Sequence, residues 1–125
     1  AVKHKKGDCS EYSDLFVALC RAKKIPARVV TGISVQRDTK TARHNWAEVY
    51  LKNAGWVPFD PSKGDVRSVY LRQRLFDTLE PVYIYFSNTR NDIVLNNYHY
   101  CLFTYFGDQV RISDSIQFEF PGQSK

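Results

Sequence analysis

Apolar positions recur every three or four residues between residues 8 and about 23, and this spacing predicts an amphipathic helix. Asp8 followed by Glu11 is similar to a capping box, which marks the beginning of a helix. Pro26 prevents the helix from continuing. The positions expected to form its buried stripe are Tyr12, Leu15, Phe16, Leu19 and Ala22.

After Pro26 the chain becomes rich in β-branched and aromatic residues, which predicts strands. Three strands are expected in ARVVTGISVQ, HNWAEVYL and GWVPFD, the last two joined by the turn KNAG. Residues 61–79 are ambiguous, with a short helix near 68–76. Further strands are expected in PVYIYF, YHYCLFTYF, QVRI and IQFEF. One helix followed by successive strands indicates an α+β fold with a mainly antiparallel sheet.

The length and composition of the chain suit one domain, taken as residues 1–125. No apolar run approaches the ~20 residues of a membrane-spanning helix. The chain as given has no signal peptide, so a cytoplasmic protein and a periplasmic or secreted fragment both remain open. The net charge of +5 comes from small basic clusters without a nucleic-acid-binding motif. We therefore expect a solvated basic surface and no nucleic-acid partner.

The cysteines and histidines do not form a metal-binding pattern. There is no CxxC motif, and His4, His44 and His99 stand far apart in the sequence, so no structural zinc site is expected. No acidic calcium-binding loop is present, and we expect calcium independence. Because the three cysteines are an odd number, at least one thiol is free unless it pairs with another chain.

Cys9 is the one cysteine placed where a thiol becomes reactive. If Asp8 caps the helix, Cys9 is its first residue, where unpaired N–H groups and the helix dipole favour a thiolate. The charge of Asp8 opposes this effect, and a nearby imidazole would complete the activation. Taken alone, a cysteine at a helix start more often has no task. Cys20 and Cys101 occur in apolar surroundings and are expected in the core.

His44 opens one predicted strand and Asp60 closes the next, and the two are the candidate partners of Cys9. Separately, they are a histidine at a strand end and an aspartate that begins a turn. If the strands form a hairpin, both lie at its open end. A three-residue loop NAG leaves them roughly 13 Å apart. We therefore expect a longer loop or a bulge around residues 50–55 to bring them together.

Three blocks in order, GDCSEYSDLFVALCRAKKIPARVVTGI, HNWAEVYL and GWVPFDPS, resemble the transglutaminase-like superfamily, in a bacterial-type form. The resemblance covers residues 5–62 and implies the papain-like cysteine proteinase architecture, with the cysteine-bearing helix packed on the sheet. It assigns a catalytic triad to Cys9, His44 and Asp60. Lys24 replaces a usual glycine, and Asn45 stands where alanine is common. Family domains have helical segments before the cysteine, so a domain lacking that segment is expected.

The resemblance implies cysteine-dependent acyl transfer on protein or peptide amides through a thioester. Water as acceptor gives a protease or a deamidase, and a lysine amine gives a crosslink; the sequence does not choose between them. No metal and no cofactor are implied. Trp46 either lines a substrate cleft or packs in the core. The alternative function is a non-catalytic peptide- or glycan-binding module that retains the fold. The sequence sets no oligomeric state.

Overall fold

One helix packs on a four-stranded antiparallel sheet. The computed structural model describes residues 6–35, 42–64, 68–70, 83–90, 93–94, 106–111 and 113. The elements are α1 (Cys9–Ala22), β1 (Ala27–Ser34), β2 (Ala42–Leu51), β3 (Gly55–Phe59) and β4 (Tyr83–Ser87). The strands lie in the order β3-β2-β1-β4, and every neighbouring pair is antiparallel. The predicted α+β class and antiparallel sheet are confirmed.

The beginning of α1 follows from a local exchange of hydrogen bonds. The Asp8 carboxylate accepts from the backbone N–H of Ser10 at 2.7 Å, and the Glu11 carboxylate accepts from the backbone N–H of Asp8 at 2.8 Å. This is the capping box that the sequence predicts. Gly7 allows it to close, because a Cβ on Gly7 would lie 2.7 Å from Cβ of Glu11.

The end of α1 is a left-handed turn. Ile25 donates its N–H to the carbonyl of Cys20, and Lys24 donates to the carbonyl of Arg21. This pair of bonds is a Schellman motif, which requires a positive φ at its turning residue. Lys24 occupies that position with φ of 60°, so the lysine adopts a conformation that favours glycine.

The buried face of α1 differs from the predicted stripe. Leu19 is 58% exposed and Ala22 is exposed, so both expectations are wrong. Ser13 is fully buried instead, because its hydroxyl donates to the backbone carbonyl of Asn45 at 3.2 Å. The residues that face the sheet are Ser13, Phe16, Val17 and Cys20. A prediction based on the spacing of apolar residues does not identify a buried serine.

The core lies between α1 and the odd-numbered residues of β1 and β2. Its buried residues are Val17, Ala27, Val29, Ala47 and Val49, with Phe16, Cys20 and Phe59 packed around them. Phe16 and Phe59 contact each other at 5.6 Å between ring centroids. The small Ala47 allows α1 to approach β2 closely, so the position of the helix on the sheet is set by packing.

The β2–β3 hairpin has a different register from the predicted one. Leu51 pairs with Gly55 around the turn, Ala47 pairs with Phe59, and the pairing between them is regular. The expected longer loop or bulge is therefore wrong. Gly55, with φ of 76°, closes a three-residue turn at 52–54, one residue earlier than predicted.

The later part of the chain is described only in part. Residues 69–70 are helical, within the short helix expected near 68–76, and the rest of that range lies outside the described residues. Residues 109–111 are exposed and form no strand, contrary to expectation, since β propensity produces a strand only where a neighbour pairs with it. The strands expected in YHYCLFTYF and IQFEF, with Cys101, lie outside the described residues apart from Phe106. Within the described part, no helix has the length and apolar composition of a membrane span.

Candidate active site

Cys9 lies at the first position of α1, beside the strand that carries His44. Its thiol is half-buried, and hydrogen bonding with the His44 side chain lowers its pKa. Hydrogen bonding from the backbone of Asn45, the residue after that histidine, lowers the pKa further. Two donors from β2 thus meet the sulfur at the end of the helix where the dipole is positive. This is the environment that stabilises a thiolate.

His44 is held between Cys9 and Asp60. Its Nε2 lies 2.7 Å from Oδ2 of Asp60, and only 13% of the His44 side chain is exposed. A carboxylate accepts hydrogen bonds and donates none, so Nε2 carries the proton. Nδ1 is therefore the nitrogen left to face Cys9. The imidazole thus lies between a thiol and a carboxylate, an arrangement that is compatible with proton transfer.

Asp60 reaches His44 because the two are diagonal neighbours across the hairpin. Continued past Phe59, the register of the hairpin sets Asp60 opposite Trp46, two positions from His44. Side chains in this diagonal relation are within reach of one another. The predicted turn at 53–55 would leave His44 and Asp60 roughly 13 Å apart. The observed turn at 52–54 lies one residue earlier, and this shift is enough to make the two residues diagonal neighbours.

The Asp60 carboxylate is fully buried, and both of its oxygens accept hydrogen bonds. Oδ1 accepts the hydroxyl of Ser62 at 2.6 Å and its backbone N–H at 3.2 Å. Oδ2 accepts His44 and the hydroxyl of Tyr83, each at 2.7 Å. These bonds offset the desolvation of the charge and keep the carboxylate in one orientation.

Tyr83, at the start of β4, is a residue of this site that the sequence analysis did not identify. Its ring lies 5.7 Å from that of His44 and 5.2 Å from that of Trp46, measured between centroids. β4 has aromatic residues at 83, 85 and 86, and nothing in its sequence separates Tyr83 from Tyr85. The phenol of Tyr83 reaches Asp60 because β4 pairs with β1 and sets Tyr83 opposite Ser34.

Trp46 is packed inside the fold next to the candidate site. It is 3% exposed and its ring stacks beside His44 at 6.4 Å between centroids. A Cβ on Gly32 would lie 2.7 Å from the Trp46 ring and 2.0 Å from the backbone carbonyl of Ile84, so only glycine fits there. This burial supports a packing role for Trp46, while contact with substrate stays a prediction.

The charges at the site reinforce one another. Burial alone raises the pKa of Asp60, but its hydrogen bonds from His44, Ser62 and Tyr83 lower that pKa to about 2. Burial likewise opposes a charge on His44, yet the bonds to Asp60 and Cys9 raise its pKa to about 9. At neutral pH the pair is an imidazolium and a carboxylate.

The thiol of Cys9 responds to this charge. Burial raises its pKa, and Asp8 adds a small effect in the same direction. The hydrogen bonds from His44 and from the Asn45 backbone, with the positive charge of His44, outweigh both and hold the pKa of Cys9 below its ordinary value. The lowered pKa of Cys9 increases the thiolate fraction of a thiol that lies beside an imidazole.

Comparison with known proteins matches one part of the chain to a family. Residues 1–61, just under half of the chain, match the transglutaminase-like superfamily. Its members are generally enzymes with a cysteine-based catalytic fold, and the helix-on-sheet core agrees with theirs.

Two relatives from bacteria cover different shares of the chain. The uncharacterized protein YebA of Bacillus subtilis is 37% identical over a region that covers 48% of this chain and 10% of the relative. An uncharacterized protein of Haemophilus influenzae is 27% identical over a region that covers 96% of this chain and 44% of the relative. The chain thus spans less than half the length of either protein. No solved structure is a significant match.

Metal chemistry finds no support among the described side chains. Within the described ranges, no three His, Cys, Asp or Glu residues gather as a metal-binding group. His4 and His99 lie outside those ranges. The polar groups of the site are paired with one another, and their chemistry is that of proton transfer and nucleophilic attack.

Proposed function

We propose that this domain performs cysteine-dependent acyl transfer on protein or peptide amides, with Cys9 as nucleophile, His44 as proton carrier and Asp60 as the group that orients the imidazole. The observation that supports it most directly is the 2.7 Å hydrogen bond between His44 Nε2 and Oδ2 of the buried Asp60, together with the hydrogen bonding to His44 that lowers the pKa of Cys9. Three groups from two strands and a helix end meet in the order that nucleophilic catalysis requires.

In the first half of the reaction, the Cys9 sulfur attacks the carbonyl carbon of an amide and forms a C–S bond. The carbonyl oxygen takes the negative charge, and the N–H of Cys9 at the open end of α1 is a suitable donor to it. His44 gives its proton to the departing nitrogen as the C–N bond breaks. Ammonia or an amine leaves, and a thioester remains on Cys9.

In the second half, His44 is neutral and takes a proton from the acceptor. Water or a primary amine attacks the thioester carbon, the C–S bond breaks, and the sulfur leaves as a thiolate beside the re-formed imidazolium. Asp60 keeps the proton of Nε2 in place, so that Nδ1 serves as acid and then as base. The donor and the acceptor therefore define whether the outcome is proteolysis, deamidation or crosslinking.

The test measures alkylation of Cys9 by iodoacetamide as a function of pH, in a Cys20→Ala/Cys101→Ala background that leaves one thiol. We expect an apparent pKa well below the ~8.5 of a free cysteine and a return toward that value in His44→Ala. Circular dichroism checks that both variants are folded. An apparent pKa near 8.5 in the parent, unchanged by His44→Ala, would contradict the proposal and favour the non-catalytic binding module.

Activity is then assayed with glutamine-containing peptides and a dansylated primary amine. Ammonia release with amine incorporation identifies crosslinking, ammonia release alone identifies deamidation, and new peptide ends identify proteolysis. Cys9→Ser is the control for each readout. A product that persists in Cys9→Ser would show that Cys9 is not its source.

A further inference from the structure

Asn45 links three elements at a single buried point. Its side-chain amide nitrogen donates to Oγ of Ser10 on α1 at 2.7 Å, and its side-chain oxygen accepts the hydroxyl of Thr31 on β1 at 2.7 Å. Its backbone carbonyl accepts the hydroxyl of Ser13, also on α1, at 3.2 Å. One residue of β2 is thus fastened to the first turns of the helix and to the neighbouring strand.

This polar cluster lies on a face that is otherwise apolar. Asn45 is 6% exposed, Thr31 is 5% exposed and Ser13 is fully buried, next to Ala47 and Val49 of the core. Buried amides and hydroxyls weaken a fold unless each finds a partner, and an apolar set of similar shape would pack there without that requirement.

The cluster lies beside the candidate nucleophile. The side chain of Asn45 binds Ser10, the residue directly after Cys9, at 2.7 Å, and hydrogen bonding from the Asn45 backbone lowers the pKa of the Cys9 thiol. The Asn45 side chain therefore holds its own backbone in place through Thr31 and holds Cys9 in place through the adjacent Ser10. His44 precedes Asn45, so the same fastening limits how far the imidazole can move from the thiol.

We propose that Asn45 is a positioning residue, which holds the Cys9 sulfur beside His44 by fastening the first turn of α1 to β1 and β2 through Ser10 and Thr31. This inference rests on the proposed function, because it concerns the nucleophile of that reaction. It assigns the task to a side chain that does not itself reach the reacting atoms. Thr31, farther from the sulfur, acts through Asn45.

Thr31→Val is the main test, because it removes the hydroxyl and keeps the shape of the side chain. In the background with Cys9 as the only thiol, we expect the alkylation profile to move to higher pH by half a unit to one unit. The rate at pH 6 then falls by about threefold to tenfold, as the smaller thiolate fraction requires. Thr31→Ser keeps the hydroxyl and is expected to retain the parent profile.

A loss of stability alone must be separated from a loss of positioning. Val29→Ala lies two residues earlier on β1, on the same face, and shortens an apolar side chain of the core. It is expected to lower the free energy of unfolding in urea without moving the alkylation profile. Ser10→Ala removes the other partner of Asn45 at a half-buried helix position, and it replaces Thr31→Val if that variant does not fold.

The outcomes distinguish the two proposals. A parent profile like that of a free thiol, insensitive to His44→Ala, overturns the proposed function. A shifted parent profile that responds to His44→Ala, but stays the same in Thr31→Val and Ser10→Ala, leaves the proposed function standing and overturns the role of Asn45. A shift that Val29→Ala reproduces also overturns it, because general loosening of the core then explains the effect.

Discussion

Cys9 and Cys20 lie on the same helix, eleven positions apart, and the pKa values of their thiols are shifted in opposite directions. Cys9 opens the helix, where an imidazole and a backbone N–H meet the sulfur and lower its pKa. Cys20 is packed against the core near the other end, where burial raises the pKa of the thiol. Both are partly buried, so burial does not separate them. The difference comes from groups that β2 brings to one end of the helix and not to the other.

The largest expected effect is on activity. If the proposed acyl transfer is observed, Cys9→Ser removes it, because a serine hydroxyl is not ionised by the same surroundings. Cys20→Ala is the matched variant on the same helix and is expected to keep the activity of the parent. The measurement is the initial rate of ammonia or peptide release. Loss of activity in Cys20→Ala, with the fold intact, would contradict the proposed difference between Cys9 and Cys20.

The second effect is on stability as a function of pH. The folded pKa of His44 is raised from 6.5 to about 9, so its contribution is complete below about pH 6.5 and is lost as the pH rises through 9. The pKa of Asp60 is lowered from 3.8 to about 2, so its contribution is complete above about pH 4 and is lost as the pH falls through 2. The pair therefore stabilises most between pH 4 and 6.5.

Urea unfolding of the parent and of His44→Ala across this range measures the contribution of the pair. Shifts of about two units correspond to about 2–3 kcal/mol, and the difference between the two proteins should shrink as the pH rises from about 6.5 to about 9. Cys20→Ala serves as the control, with a difference that stays flat from pH 4 to 8. A difference for His44→Ala that grows toward alkaline pH would contradict the charged pair.

The third effect concerns Tyr83, which lies near the Cys9 end of α1 and is expected to influence Cys9 but not Cys20. Tyr83→Phe removes the hydroxyl that Asp60 accepts and leaves the ring beside His44 and Trp46. The free energy of unfolding should fall by about 1–2 kcal/mol, because a carboxylate loses a buried donor. The alkylation profile of Cys9 should move slightly to higher pH, and that of Cys20 should not move.

Tyr85→Phe, two residues along the same strand and 46% exposed, is the matched control. It is expected to change neither the stability nor the reactivity of Cys9. Equal effects of the two substitutions would mean that the hydroxyl of Tyr83 does not act through Asp60.

The smallest effect concerns the Cys20 end. Lys24 adopts a left-handed conformation, which costs a side chain about 1 kcal/mol, so Lys24→Gly should raise the free energy of unfolding by about that amount. Lys23→Gly, at a neighbouring residue with φ of −89°, should give no such gain. Neither variant should alter alkylation of Cys9, since both changes lie at the far end of the helix. A change in Cys9 reactivity would show that the two ends are coupled.

The sequence determined the features that depend on near neighbours in the chain. Asp8 and Glu11 cap a helix that begins at Cys9, because a capping box needs only residues three positions apart. The helix, the first three strands and the antiparallel class follow from local spacing and from β propensity. The family motif identified Cys9, His44 and Asp60 as the residues to compare in space.

The tertiary structure decided every feature that requires distant residues to meet. The register that makes Asp60 a diagonal neighbour of His44, the phenol that Tyr83 brings from β4, and the burial of Ser13 in place of Leu19 all follow from which elements pack together. A periodic pattern records that a face is apolar, but it contains no information on the partner of that face. The reactivity of a thiol depends on donors within a few ångströms, and here those donors come from a strand more than thirty residues away.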